Sequence, residues 1–183
     1  MEEGRAGLER ERRERELVAS GVPAISNLEE LKERPAVAQL LAWNREAVQG
    51  AKVDRGELSI YVNRAAIRGA CERLKSDPVT RFNFFCNATC VDWHPNQPRF
   101  EVCYHLLSHA RKDRVRLKVR LPGDDASLES ITSVWPAANF FEREIFDLFG
   151  VRFLGHPNLR RLLMPEDWEG HPLRKDYPVE GFR

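Results

Sequence analysis

The chain has 183 residues, 42% hydrophobic and 31% charged, a globular composition of a size to hold one domain with extensions. Lys and Arg number 29 and Asp and Glu 28, so the formal net charge is +1. That balance argues against a dedicated nucleic-acid binder and against a charged disordered tail, and it leaves little self-repulsion to keep a solitary soluble protein apart from its neighbours.

Residues 1–50 read as an N-terminal helical arm, partly flexible. Met1 to Glu16 is dense in Glu and Arg, with Glu9–Arg13 and Glu11–Arg15 at helix-pairing spacing. A Gly/Pro/Ser linker follows, and Asn27 with Glu30 resembles a capping box. Pro35 suits the first turn of a second helix carrying Val37, Leu40, Leu41, Asn44 and Val48, which Gly50 would end.

Residues 51–154 read as an α+β domain. Leu58, Ile60 and Val62 alternate with polar neighbours, as a strand does. Ile67, Cys71 and Leu74 then fall at helical spacing behind a cap at Asn63. Phe82, Phe84, Cys86, Ala88 and Cys90 alternate, as do Phe100, Val102, Tyr104 and Leu106. The clearest strand places Val115, Leu117, Val119 and Leu121 on one face and Arg114, Arg116, Lys118 and Arg120 on the other. Short connections between the last three strands favour antiparallel pairing. The expected fold is therefore α+β: a four-stranded, mostly antiparallel sheet with helices packed on one face. A further helix runs through PAANFFEREIFDLFG, with Phe141, Ile145, Leu148 and Phe149 on its buried face, Glu142, Arg143 and Asp147 turned away, and Gly150 as its stop. VRFLG suggests a short strand.

Residues 155–183 show no period. So long a structureless stretch is unusual in a compact domain, and Leu159, Leu162, Leu163, Met164, Trp168, Leu173 and Tyr177 are apolar anchors that a solvated tail would lack. The segment reads as an extended C-terminal tail ordered by docking on another surface. It holds an internal echo: GHPNLRR at 155–161 resembles GHPLRK at 170–175. The cations Arg160, Arg161, Arg174 and Lys175 need carboxylates where buried, and some are expected to reach a partner.

Complete catalytic sets are missing. The histidines show no metal-ligand spacing, and Cys86 and Cys90 on one strand face would lie about 13 Å apart, too far for one metal. No phosphate loop, dinucleotide fingerprint or nucleophile elbow occurs. Glu142 and Glu144 point about 200° apart on a helix and cannot share acid–base work. No run of about 20 apolar residues could span a bilayer, and the charged start is not an export signal. The four cysteines are then expected to be reduced, buried thiols. The basic row from Arg111 to Arg120 could touch RNA or anionic lipid, but such a row more often pairs with an acidic neighbouring strand or subunit.

One run carries a resemblance. ANFFEREIFDLFGVRFLGHPNLRRLLMPEDWEGHPLRKDYP resembles the signature region of the 30 kDa subunit of respiratory complex I, the NADH–quinone oxidoreductase. The resemblance rests on Glu142-Arg143-Glu144, Asp147, Leu148-Phe149, the basic cluster from His156 to Arg161, and GHPLRKDYP. It implies a non-redox subunit of the peripheral arm, on the cytoplasmic face of the membrane, touching the membrane only through the complex. The implied partners are the 49 kDa subunit and the neighbouring cluster-bearing subunit of the hydrophilic arm, with FMN, iron–sulfur clusters and quinone held by other subunits and no cofactor in this chain. Glu142, Arg143, Glu144, Asp147, His156, Arg160, Arg161, His171, Arg174, Lys175 and Asp176 are the implied interface or structural residues, none of them catalytic. The same module resembles part of membrane-bound nickel–iron hydrogenases and other donor-linked relatives. A free-standing RNA- or lipid-binding module is the rival of another class.

Overall fold

The computed structural model describes residues 27–180 except Arg55; the Glu/Arg arm and most of the linker after it lie outside the described residues. Helix α1 (Leu28–Leu31) starts at Asn27, whose side-chain oxygen accepts the Glu29 N–H at 3.1 Å while its amide donates to Glu30 at 3.1 Å. Helix α2 (Pro35–Trp43) begins on Pro35, as expected, and buries Ala36, Val37 and Leu40. It ends earlier than its apolar spacing suggests. Asn44 is extended and caps a 3-10 turn (Arg45–Ala47) by accepting the Glu46 N–H at 3.0 Å. The chain then enters strand β1 (Val48–Asp54), so Val48 is a strand residue and Gly50 lies inside the sheet rather than at a helix stop.

The main sheet has five strands, one more than expected, in the order β1-β2-β5-β4-β3. Strands β2 (Glu57–Val62), β3 (Phe84–Asp92), β4 (Phe100–Ser108) and β5 (Asp113–Leu121) are the four read from the sequence. β1–β2, β3–β4 and β4–β5 are antiparallel, while β2 and β5 run parallel because helix α3 (Ile67–Ser76) and the β3–β4 hairpin intervene. Asn63 accepts the Ala65 N–H at 3.1 Å and caps the 3-10 turn leading into α3. One sheet face supplies Ile60, Val102, Tyr104, Leu117 and Leu121 to a core shared with Leu40, Ile67, Cys71 and Leu74 of the helices. Each fully buried Leu or Ile there contributes about 1.5–3 kcal/mol.

Strand β3 departs from simple alternation. A bulge between Phe85 and Asn87 inserts one residue. Phe85, not Phe84, therefore points inward, against Trp135 and Phe141, while Ala88 and Cys90 keep the expected face. Cys86 consequently does not share the buried face with Cys90. Among the described residues no group of three or more His, Cys, Asp or Glu could hold a metal ion, and no helix is long and apolar enough to cross a membrane.

The basic face of β5 finds acidic neighbours within the sheet. Glu101 of β4 is 1% exposed and accepts from Lys118 at 2.7 Å and Arg120 at 3.4 Å. Arg116 pairs with Glu57 of β2, and Lys118 and Arg120 lie over the Tyr61 ring. Arg116, Lys118 and Arg120 are thus drawn into the sheet, while Arg111, Lys112 and Arg114 at its end are exposed. After β5 the chain forms β6 (Ser127–Glu129), helix α4 (Ala138–Phe149) and β7 (Arg152–Leu154). β6 and β7 pair in parallel as a small second sheet. β7 matches the expected VRFLG strand; β6 is too short to show a period.

Candidate functional site: the anchored C-terminal segment

Helix α4 carries the signature residues, and their placement corrects the expectation drawn from their polarity. Glu142, Arg143 and Asp147 are buried, while Glu144 of the same set is exposed. Arg143 and Asp147 do not pair at their four-residue spacing; each instead holds the segment that follows β7.

Asp147 is fully enclosed. Its Oδ2 accepts the successive backbone N–H groups of Leu162, Leu163 and Met164 at 2.9, 2.7 and 2.9 Å. Its Oδ1 accepts Arg161 at 2.7 Å. Burial alone would raise this carboxyl's pKa, but those N–H groups and the Arg161 guanidinium outweigh burial and hold it below the ordinary range. Arg143 is satisfied by carbonyls: its guanidinium donates to Arg160 O at 3.2 Å and Arg161 O at 2.9 Å. A turn at 160–164 is thus gripped from both its carbonyl and its amide sides.

The end of α4 explains the echo. An α-helix leaves its last carbonyls without intrahelical donors, and cations are favourable there. Arg161 and His171 donate to the Asp147 carbonyl at 3.2 and 2.8 Å, the Leu173 N–H donates to Leu148 O at 3.0 Å, and Arg174 donates to Phe149 O at 2.7 Å. Near the start of the same helix, His156 Nε2 lies 3.2 Å from Asn139 O while Nδ1 accepts the Asn158 N–H at 3.0 Å. Each copy of the echo therefore sets one histidine on an α4 carbonyl. Burial lowers the pKa of both rings, with Arg143 adding to the effect at His156 and Arg174 and Arg161 at His171. Gly150 closes the helix at φ +75°, and a Cβ there would come within 2.4 Å of Arg174 Nη2 and 2.5 Å of His171 Nε2. The glycine thus serves both the left-handed turn and the seating of the second echo.

A second post stands at the end of β3. Asp92 takes Arg99 in a two-point pair at 3.0 and 2.8 Å and also accepts the Lys175 N–H at 2.9 Å. Arg99 reaches on to Asp176 at 2.6 and 2.9 Å. Burial acts to raise the Asp92 carboxyl, but Arg99 and the N–H groups of Lys175 and His94 prevail and lower it. Arg99 and Arg174 both lie over the Phe100 ring, at 4.9 and 5.3 Å. Sequence reasoning misses Asp92 and Arg99. They flank the DWHPNQPR loop, and their pairing follows from hairpin register, which no residue spacing announces.

The segment is therefore ordered on its own domain between residues 160 and 176. Leu159 packs against the core. Other apolar side chains point outward: Phe140 is 62% exposed, Leu163 61% and Leu173 52%, with Trp168 also exposed. The side chains of Glu144, Arg160 and Lys175 are exposed and have no ion-pair partner among the described residues. Chemically the described residues offer a surface of mixed apolar and charged groups, anchored from behind by hydrogen bonds.

Residues 60–183 match the family described as respiratory-chain NADH dehydrogenase, 30 Kd subunit. The chain is 50% identical over 134 residues to the C subunit of NADH-quinone oxidoreductase from Roseiflexus sp. (strain RS-1), covering 73% of this chain and 77% of that one. It is 47% identical over 128 residues to the protein of the same name from Geobacter sulfurreducens, covering 69% and 78%. Among solved structures, the trypsin-resistant fragment of Nqo5 aligns with TM-score 0.56 and 29% identity over 68% of this chain and 99% of that one. A chain of the membrane-bound sulfane sulfur reductase, an archaeal respiratory membrane complex, aligns with TM-score 0.66 and 30% identity over 78% and 84%. The chain belongs to the 30 kDa subunit family of the respiratory-chain NADH dehydrogenase.

Proposed function

We propose that this chain is a non-redox assembly subunit of the peripheral arm of a proton-pumping NADH–quinone oxidoreductase and packs on its 49 kDa subunit, near the cluster-bearing neighbour. One observation carries the reading: α4 and Asp92 fix the C-terminal segment while Leu163, Leu173 and Trp168 face outward. Holding apolar side chains rigidly in water is useful only where another surface covers them, and a pre-ordered segment loses little entropy on docking. In this reading the domain takes in α2 and β1, and so begins well before residue 51, while the segment from Gly155 onward is the docking tail. Glu144, Arg160 and Lys175 face the neighbour. Glu142, Arg143, Asp147, His156, Arg161, His171, Arg174 and Asp176 shape the surface from behind. FMN, iron–sulfur clusters and quinone reside in other subunits, and the chain is held peripherally at the cytoplasmic face through the complex.

The likeness to the sulfane sulfur reductase supports a second reading, in which the same module serves another donor-linked membrane complex. The half-identical relatives named for NADH–quinone oxidoreductase favour the first. Co-expression of the full chain with its cognate 49 kDa-type subunit tests the proposal. Co-migration on size-exclusion chromatography supports it; two separate species, with this chain a stable monomer, would contradict it.

A further inference from the structure

Helix α4 buries a second carboxylate on a flank that does not hold the C-terminal segment. Glu142 is fully enclosed, and each oxygen has one partner: Oε2 lies 2.6 Å from Ser130 Oγ, and Oε1 accepts the Ile131 N–H at 2.8 Å. No cation reaches it among the described residues. Its charge bears on two buried groups, the Cys71 thiol of α3 (which Glu72 also influences) and the Tyr104 phenol of β4, whose hydroxyl has no partner among the described residues. The cations of α3 are committed elsewhere. Lys75 donates to Val134 O and lies over the Trp135 ring, and Arg68 is shared between Glu72 and Glu129. On its own helix, Arg143 and Asp147 are spent on the C-terminal segment. An ionised carboxylate with two donors and no countercharge is costly in such a place, whereas the neutral acid is at home there.

The contacts also suit a protonated acid. The carbonyl-like Oε1 accepts the peptide N–H, and an Oε2–H can donate to Ser130 Oγ. Ser130 Oγ lies 2.8 Å from Thr132 Oγ1, and Thr132 reaches the surface. This row of hydroxyls can run in either direction. We propose that Glu142 is a buried proton-binding site, loaded from and emptied to solvent through the hydroxyls of Ser130 and Thr132. On release, the Glu142 proton passes to Ser130 Oγ, the Ser130 proton to Thr132 Oγ1, and the Thr132 proton to water. The two hydroxyls end neutral, each donating back toward the new carboxylate. Burial raises the carboxyl's pKa to about 7, against the lowering effect of Ser130 and the Ile131 N–H. The site therefore changes occupancy near neutral pH, on the helix that seats the docking segment.

The test compares the full-length wild type with Glu142→Gln, whose amide mimics the neutral acid, and with Ser130→Ala. Infrared spectroscopy should show a protonated-carboxyl band in the wild type that is missing in Glu142→Gln and disappears with a midpoint near pH 7. Ser130→Ala removes a donor to the ionised form, so its midpoint should move higher. Stability supplies a second readout. An ordinary Glu titrates at 4.5 and this one at about 7. The penalty on the wild type is thus absent below the lower value, grows between the two and is constant above. The melting-temperature gap between Glu142→Gln and wild type should open across that window, and the folding equilibria of the two should come to differ by a further ~300-fold at its plateau. A wild-type band already lost near the ordinary Glu value, or a gap that ignores pH, overturns the proposal. Should Glu142→Gln fail to fold, the wild-type midpoint and its displacement in Ser130→Ala decide alone, and an undisplaced midpoint counts against it.

Discussion

Replacing Asp147 with Asn probes the anchoring of the C-terminal segment most sharply. The substitution preserves size but exchanges one accepting oxygen for an amide that faces donors. If Oδ2 is the atom replaced, the N–H groups of Leu162, Leu163 and Met164 lose their common acceptor; if Oδ1, Arg161 loses its charge partner. Hydrogen bonds to a charged group are worth about 1.5–3 kcal/mol each, but a simple sum overstates the loss because the freed groups lie near the surface and can recruit water. Breaking a buried pair by removing one partner costs about 3–5 kcal/mol, and that is the expected effect. For a domain of this size each kcal/mol moves the melting temperature by about 2–4 °C, so a fall of roughly 6–20 °C should follow. Amide hydrogen exchange at Leu162–Met164 should accelerate more than at β4 or β5, because the segment is released before the sheet opens. The Asp147 carboxyl is held below its ordinary 3.8 in the folded chain. Its contribution is therefore present above that value and lost as pH falls through the lower folded value, so wild type and variant should converge in strong acid. Unchanged melting and unchanged exchange at those three amides at neutral pH would refute the reasoning.

Other outcomes follow from the same geometry. Arg161→Ala and Arg174→Ala should each lower the melting temperature of the isolated chain, whereas Arg160→Ala and Lys175→Ala should change its stability by no more than about 0.5 kcal/mol and instead weaken co-purification with the 49 kDa-type subunit. Equal melting losses in all four variants would undo that division. Gly150→Ala combines a left-handed backbone with a clash against His171 and Arg174 and should destabilise by more than about 1–3 kcal/mol in denaturant titration. A neutral result there would mean that the second echo is not seated on α4. Because Glu57 and Glu101 engage the cations of β5, the isolated chain should show no steeply salt-dependent binding to single-stranded RNA; filter binding at low and high salt checks this.

Much of the sheet can be read from the residues. β5 alternates without interruption, and the pairing of its cations with an acidic neighbour strand is the ordinary expectation for such a row. β1 is hidden because Gly50 and Ala51 blur alternation and because Val48 also fits the helical spacing of Leu40 and Leu41. The bulge at Cys86 shifts one strand half by a residue, an event set by its partner strand and invisible in its own pattern. The signature helix misleads for a different reason. Charged residues normally face water, and nothing local shows that Asp147 will meet three amides from residues 162–164, or that Arg143 will meet two carbonyls. Buried polar groups are satisfied from far along the chain. The aperiodic tail is read as ordered from its apolar residues, but most of these face outward, and what holds the segment is polar contact with the chain's own helix α4 and with Asp92.

The central claim is that the outward face of the anchored segment binds a neighbouring subunit. Its most direct test is the affinity of the full chain for the 49 kDa-type subunit, measured by titration for wild type and for the Leu163→Asp, Trp168→Ala double variant. Residues at the centre of an interface cost about 2 kcal/mol or more when removed, so affinity should fall at least ~30-fold while the melting temperature of the free chain stays within about 2 °C. Affinity equal to wild type in a normally folded double variant would contradict the account.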